Sequence, residues 1–273
     1  LIDKSVTEFR TDIAMVTDNS NSQNFYSEIE KWNDMSPKDG TREFGWAVYY
    51  SVIYYANAII ANKDNIKEGS QEDIDQLVGE AYLLRGYMHF ILANLYGQPY
   101  TKEGAPETKS IPIKWDLDLE VVLPRNTVKE VYTAILSDIE SARGLMHQKE
   151  WEAVYAYRFS TLSVDAMESR VRLYMGNWKE AYDAAERILV QKSTLEDLND
   201  PEAKLPNNYT SAEMITAYEF FNDDVTSASI LIPVFVEPTF TELHISSVDA
   251  SALGIERISS SSLFVIPFDT TAE

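Results

Sequence analysis

The residues with the clearest chemical potential in this chain are aromatic. It carries 5 tryptophans and 16 tyrosines, and several stand in polar, turn-rich stretches: Tyr26, Trp32 beside Asn33, and Trp115 followed by Asp116 and Asp118. An aromatic plate flanked by amide, carboxylate or guanidinium groups suits a ligand with apolar C–H faces ringed by hydroxyls, as in a sugar. The competing reading is packing, the commonest use of aromatic side chains in helical proteins, and it is the one we apply to Trp46 and Trp178.

Other chemistries find little in the sequence. The histidines are His89, His147 and His244, and no His-Glu-x-x-His, Gly-x-Ser-x-Gly, phosphate-binding loop or Gly-x-Gly-x-x-Gly occurs, so no cofactor is called for. His89 lies among Met88, Phe90 and Ile91 and reads as a packed, hydrogen-bonded histidine. Asp116, Asp118 and Glu120 alternate along what reads as an extended segment. They could face a hard cation such as Ca²⁺ but lack a bidentate loop pattern, so a solvated strand face is the plainer reading and no metal site is assigned. Among 44 Asp and Glu residues, pairs at glycosidase spacing are inevitable and identify nothing. Asn208-Tyr-Thr210 matches a glycosylation sequon that we read as coincidental.

The elements that must hold these residues are mostly helical. Ten glycines and ten prolines in 273 residues, about 7% against a usual ~12%, disfavour a turn-rich all-β fold. A net charge of −21 repels phosphate backbones and anionic headgroups, which argues against nucleic-acid binding while remaining compatible with a neutral ligand. No cysteine is present, so disulfides, thiolate metal sites and cysteine nucleophiles are excluded. The longest apolar runs, residues 52–61 and 230–236, are too short to cross a ~30 Å hydrocarbon layer. Leu1-Ile-Asp-Lys4 reads as a processed or trimmed start, from which a targeting or anchoring segment has been removed.

The first 45 residues read as a short helix followed by loops. Trp46, Tyr49, Ile53, Ala56 and Ile60 then form one helical stripe. Ser70 is placed to cap a second helix, with Glu72 and Asp73 in its first turn. Its stripe runs through Ala81, Leu84, Met88, Ile91 and Leu95, with Gly97 as a left-handed stop. Thr127-Val-Lys-Glu130 is a capping box opening a third helix through Val128, Val131, Ile135, Ile139, Ala142 and Met146. A further pair is expected at 158–175 and 178–191. There Gly176 and Ala181 have the spacing of the turn glycine and the small helix residue of a tetratricopeptide unit. Beyond residue 193 the periodicity decays, and residues 229–236 read at best as an edge strand because of Pro233.

Four stretches in this order resemble the SusD/RagB family of Bacteroidetes outer-membrane lipoproteins. They are the Trp46…Ala56-Asn57 helix, Gly79-Glu-Ala…Leu84-Arg85…His89-Phe90, and Leu95-Tyr-Gly97 with the proline-rich excursion to Pro124-Arg-Asn-Thr-Val128. The fourth runs from Val131-Tyr through Asp138 and Ala142 to Arg170…Trp178. The likeness covers roughly residues 46–190. It implies a mostly α SusD-like fold of tetratricopeptide-like hairpins with an irregular loop-rich region and short β elements. On this reading residues 1–192 are the N-terminal region and 193–273 the start of a truncated C-terminal region.

The resemblance further implies a non-enzymatic, surface-exposed glycan-binding lipoprotein anchored through an N-terminal lipidated cysteine. Such a protein works beside a SusC-like TonB-dependent transporter that imports the bound oligosaccharide. It also places part of the sugar-binding surface ahead of the Trp46 helix, which makes Trp32, Asn33 and Arg42 candidate ligand residues beside the loop aromatics Tyr26 and Trp115. A tetratricopeptide-type adaptor for peptides or proteins, and less so a glycan-cleaving enzyme, are the alternatives.

Overall fold

A computed structural model describes residues 46–204, 208–220 and 230–233. Among them are five α-helices, α1 (Trp46–Ala61), α2 (Gln71–Tyr96), α3 (Val128–Leu145), α4 (Thr161–Tyr174) and α5 (Trp178–Leu189), and two short strands, β1 (Ala217–Phe220) and β2 (Ile230–Pro233). The chain divides into two compact units. One takes the described residues up to Glu150 together with Phe159–Leu189, and the other takes Trp151–Arg158 and the described residues from Val190 onward.

Helix starts follow the local chemistry of the sequence. At α2 the Asp73 N–H donates to Ser70 Oγ at 3.2 Å and the Ser70 N–H returns to Asp73 Oδ2 at 2.9 Å, so Asp73 does more than complement the dipole. At α3 the box expected between Thr127 and Glu130 forms, with distances of 3.2 and 2.7 Å. Ser160 and Ser163 cap α4, so this helix opens at Thr161 rather than near Arg158.

Three expectations about the helices need correction. Gly97 ends α2 with φ −104°, in extended rather than left-handed backbone. Glycine is required for proximity instead, because a Cβ there would lie 2.6 Å from both Ala93 O and Ser110 Oγ. The α2 stripe is only part of that helix's buried surface: Ala81 and Met88 are buried, Leu84, Ile91 and Leu95 are half-buried, and Val78, Leu83 and Leu92 lie deeper. The cause is that α2 packs against both α1 and α3 and buries most of its circumference. Trp178, read as a core residue, is 66% exposed, since α5 turns Ala181 and Ala184 inward against α4. Trp46 is half-buried, with its ring 4.9 Å from Tyr50 and 4.8 Å from Tyr96.

The α4–α5 hairpin is the tetratricopeptide-like element. Gly176 turns the chain with φ +75°, Ser169 Oγ donates to Ala181 O at 2.8 Å, and small residues bring the helices together. An ion-pair network fixes the hairpin to α3. Arg143 reaches Asp165 and Glu168 at 2.6 Å each, and Arg187 of α5 reaches the same two carboxylates.

In the second unit, β1 and β2 pair antiparallel with Ala217 opposite Pro233 and Phe220 opposite Ile230. The Glu196 carboxylate gathers the Ala212 N–H at 2.7 Å and the Lys204 N–H at 3.3 Å. These backbone bonds hold its carboxyl below the usual range.

Candidate functional site

The centre of the candidate site is a buried guanidinium. Arg85 projects from α2, and its Nε and Nη2 donate to the two carboxylate oxygens of Asp138 on α3 at 2.9 and 2.6 Å. Its Nη1 donates to Asn57 Oδ1 on α1 at 2.8 Å. One side chain thus ties three helices, and each donor is directed by a fixed acceptor. Burial pushes the Asp138 carboxyl upward, and the Arg85 charge opposes that shift.

The same network reaches the segment between α2 and α3. Asn57 Nδ2 donates to Lys114 O at 3.1 Å and Asp116 O at 3.2 Å, so its amide grips the loop on either side of Trp115. Tyr50 donates to Pro112 O at 2.6 Å, and the Lys114 N–H approaches His89 Nε2 at 3.4 Å. Burial, reinforced by the Arg85 charge, lowers the His89 pKa to about 3, so this imidazole is neutral at physiological pH. The packed reading of His89 holds.

Trp115 is the exposed product of this framework. The Arg85 Cζ lies 4.4 Å from the centroid of its ring, and the indole is 47% exposed. The Tyr82 ring lies 5.1 Å from the same guanidinium. A cation over an aromatic face is worth ~0.5–2 kcal/mol, more when desolvated, which favours this placement of the indole.

The acidic run after Trp115 is not an extended strand. The Asp118 N–H donates to Asp116 Oδ1 at 3.0 Å and the Glu120 N–H to Asp118 Oδ1 at 2.8 Å, which makes two successive side-chain-capped turns. Asp116 pairs with Lys114 at 2.6 Å, and its carboxyl is lowered chiefly by that hydrogen bond. Among the described residues, no group of three or more metal-ligating side chains converges.

Of the five ligand candidates read from the sequence, Trp115 lies in this site, while Tyr26, Trp32, Asn33 and Arg42 lie outside the described residues. Arg85, Asn57 and Asp138 carry the family likeness, and their spacing in the sequence gives them no role in the site. The available signal is a buried polar residue on each of three helices, Asn57 on α1, Asp138 on α3 and Arg85 on α2, where Gln76 and His89 are buried as well.

The arrangement is set on a frame whose relatives are recognisable. Residues 3–173 match the SusD-like family described as starch-binding associating with outer membrane. The chain belongs to the SusD-like family. SusD-like protein P38 of Formosa agariphila is 30% identical over 158 residues, 58% of this chain and 28% of that protein. SusD-like protein P25 of the same organism is 25% identical, over 72% of this chain and 36% of its own length. A SusD-like carbohydrate binding protein from Bacteroides vulgatus superposes with a TM-score of 0.67 at 23% identity, covering 81% of this chain and 45% of the other. A laminarin binding SusD-like protein gives 0.59 at 16% identity, over 80% of this chain and 49% of its own. This SusD-like chain therefore spans about a third of the curated relatives it matches, and at these identities the structural likenesses establish the mostly helical SusD-like fold.

Proposed function

We propose that this SusD-like chain belongs to a cell-surface glycan-binding lipoprotein of the outer membrane. It captures oligosaccharides without cleaving them and passes them to a SusC-like TonB-dependent transporter. The observation that carries the reading is the match of residues 3–173 to a family described as starch-binding and outer-membrane-associated. The carbohydrate-binding and laminarin-binding proteins among its structural neighbours support the same class of ligand.

Within that reading Trp115 is the sugar-stacking plate. Arg85 and Asn57 hold it in place, and Tyr26, Trp32, Asn33 and Arg42 contribute further ligand contacts. A rigid ring loses little entropy when a pyranose face settles on it, and the flanking polar groups are available to hydroxyls. The net charge of −21 favours neutral over acidic glycans.

Calorimetric titration with a panel of plant, host and microbial oligosaccharides tests the proposal, with reducing-end release followed in parallel. Saturable heat without release is expected. Heat only with peptides would favour a tetratricopeptide-type adaptor, and release abolished by an acid-to-amide change would favour an enzyme.

A further inference from the structure

The second unit carries a group of aromatic side chains that the Trp115 site does not use. The chain there reads Trp151-Glu-Ala-Val-Tyr155-Ala-Tyr157-Arg158 and is wound into a tight turn at Ala153–Tyr155. The Tyr155 N–H donates to Glu152 O at 2.7 Å, the Ala156 N–H to Ala153 O at 3.1 Å and the Arg158 N–H to Tyr155 O at 2.9 Å. The Ala217 N–H donates to Ala156 O at 2.9 Å, which ties the turn to the start of β1.

On this braced turn the rings form a continuous series. Trp151 and Tyr155 lie 6.3 Å apart at 66°, and Tyr155 and Tyr157 lie 6.4 Å apart at 63°, both in edge-to-face contact. The Arg158 guanidinium carbon stands 4.0 Å over the Trp151 ring. Tyr155 is nonetheless 45% exposed and Tyr157 53% exposed. Single exposed aromatics need no explanation, whereas linked rings held outward on a hydrogen-bonded turn mark a recognition surface.

We infer that Trp151, Tyr155 and Tyr157 form a second glycan platform, which takes a neutral, pyranose-containing oligosaccharide. The inference rests on the glycan-binding function proposed above. The exposed rings are tyrosines, whose phenol edges place a hydroxyl at the rim of each apolar face, which matches a ring sugar better than an aliphatic peptide side chain. The exposed Glu152 supplies acceptors for equatorial hydroxyls. One arginine beside Glu152 in a chain of net charge −21 is a poor match for a phosphate backbone.

The test titrates the full chain with oligosaccharides of increasing length from the same panel, comparing wild type, Trp115→Ala and the double variant Tyr155→Ala/Tyr157→Ala. Ring resonances of selectively labelled Tyr155 and Tyr157 are followed in the wild-type protein, so that a misfolded variant cannot decide the outcome. Expected are shifts of both tyrosine rings on glycan addition and a loss of about 10-fold in affinity for the longer ligands in the double variant. If wild type binds glycan and loses affinity in Trp115→Ala while the tyrosine signals stay fixed, the second platform is overturned and the general function stands. If wild type binds no glycan, both fall. If the tyrosine rings respond only to peptides, the surface serves a protein partner and this inference is wrong.

Discussion

Arg85 and Asp138 meet in a two-point ion pair between α2 and α3, Nε to Oδ2 at 2.9 Å and Nη2 to Oδ1 at 2.6 Å, and the same guanidinium lies 4.4 Å from the centre of the Trp115 ring. The contact that joins two core helices is therefore also the support of the exposed plate. Under the proposed function, that side chain couples stability to ligand recognition.

Breaking that pair on one side leaves a buried charge without its partner. Arg85→Met is expected to lower unfolding free energy by about 3–5 kcal/mol in urea titrations. Replacing both members, as Arg85→Met/Asp138→Leu, should recover much of that loss, because the pair's desolvation cost is removed with it. The double variant should still bind glycan more weakly, since Trp115 has lost its support.

Asn57 is buried and bonded to Arg85, Lys114 O and Asp116 O. Asn57→Ala removes a side-chain donor that reaches both carbonyls, at a cost of about 1–3 kcal/mol. Amide exchange should accelerate around residues 113–118 more than in α2 or α3, because the loop loses its grip while the helices retain their apolar contacts.

His89 sets a pH dependence. Its folded pKa of about 3 lies below the unfolded value near 6.5, so the unfolded chain binds the extra proton between these values. The stability contributed by keeping His89 neutral is complete above pH 6.5 and is lost as pH falls toward 3, reaching about 2 kcal/mol by pH 5. Urea midpoints for wild type and His89→Gln should therefore converge as the pH is lowered from 7 to 5.

Gly97 lies against Ala93 O and Ser110 Oγ, with no room for a methyl group. Gly97→Ala forces the backbone apart at the end of α2 and should lower the thermal midpoint by several degrees, on the order of 2 kcal/mol. A left-handed glycine would show a similar penalty, so the distinguishing readout is Gly97→Ala combined with Ser110→Gly. This pair relieves only the side-chain part of the contact and should recover a fraction of the loss.

Much of this fold could be read from local signals. The Ser70 cap, the Thr127–Glu130 capping box, the α1 and α3 stripes and the Gly176 turn are interactions over a few residues, so the sequence contains both partners side by side. What could not be read depends on distant neighbours. Trp178 has the composition of a core residue, and only the choice of Ala181 and Ala184 as the contact face of α5 leaves it in solvent. Gly97 reads as a terminator because the approach of Ser110 is set by tertiary structure. Arg85, Asn57 and Asp138 are separated by 28 and 53 residues, so their joint role beneath Trp115 emerges only when three helices pack. Polar neighbours single out Trp115 in the sequence, and its ligand role stays part of the proposal; the acidic run beside it forms capped turns where alternation implies a strand.

In the proposed function, sugar binding depends on the Trp115 indole above the buried Arg85 guanidinium. The most direct test is calorimetric titration of wild type and Trp115→Ala with an oligosaccharide that saturates the wild-type protein, alongside thermal unfolding of both. Expected is at least about a 10-fold loss of affinity with a thermal midpoint nearly unchanged, because under the proposed function the exposed ring contributes more to the ligand than to the core. Equal affinity in the two proteins would contradict it.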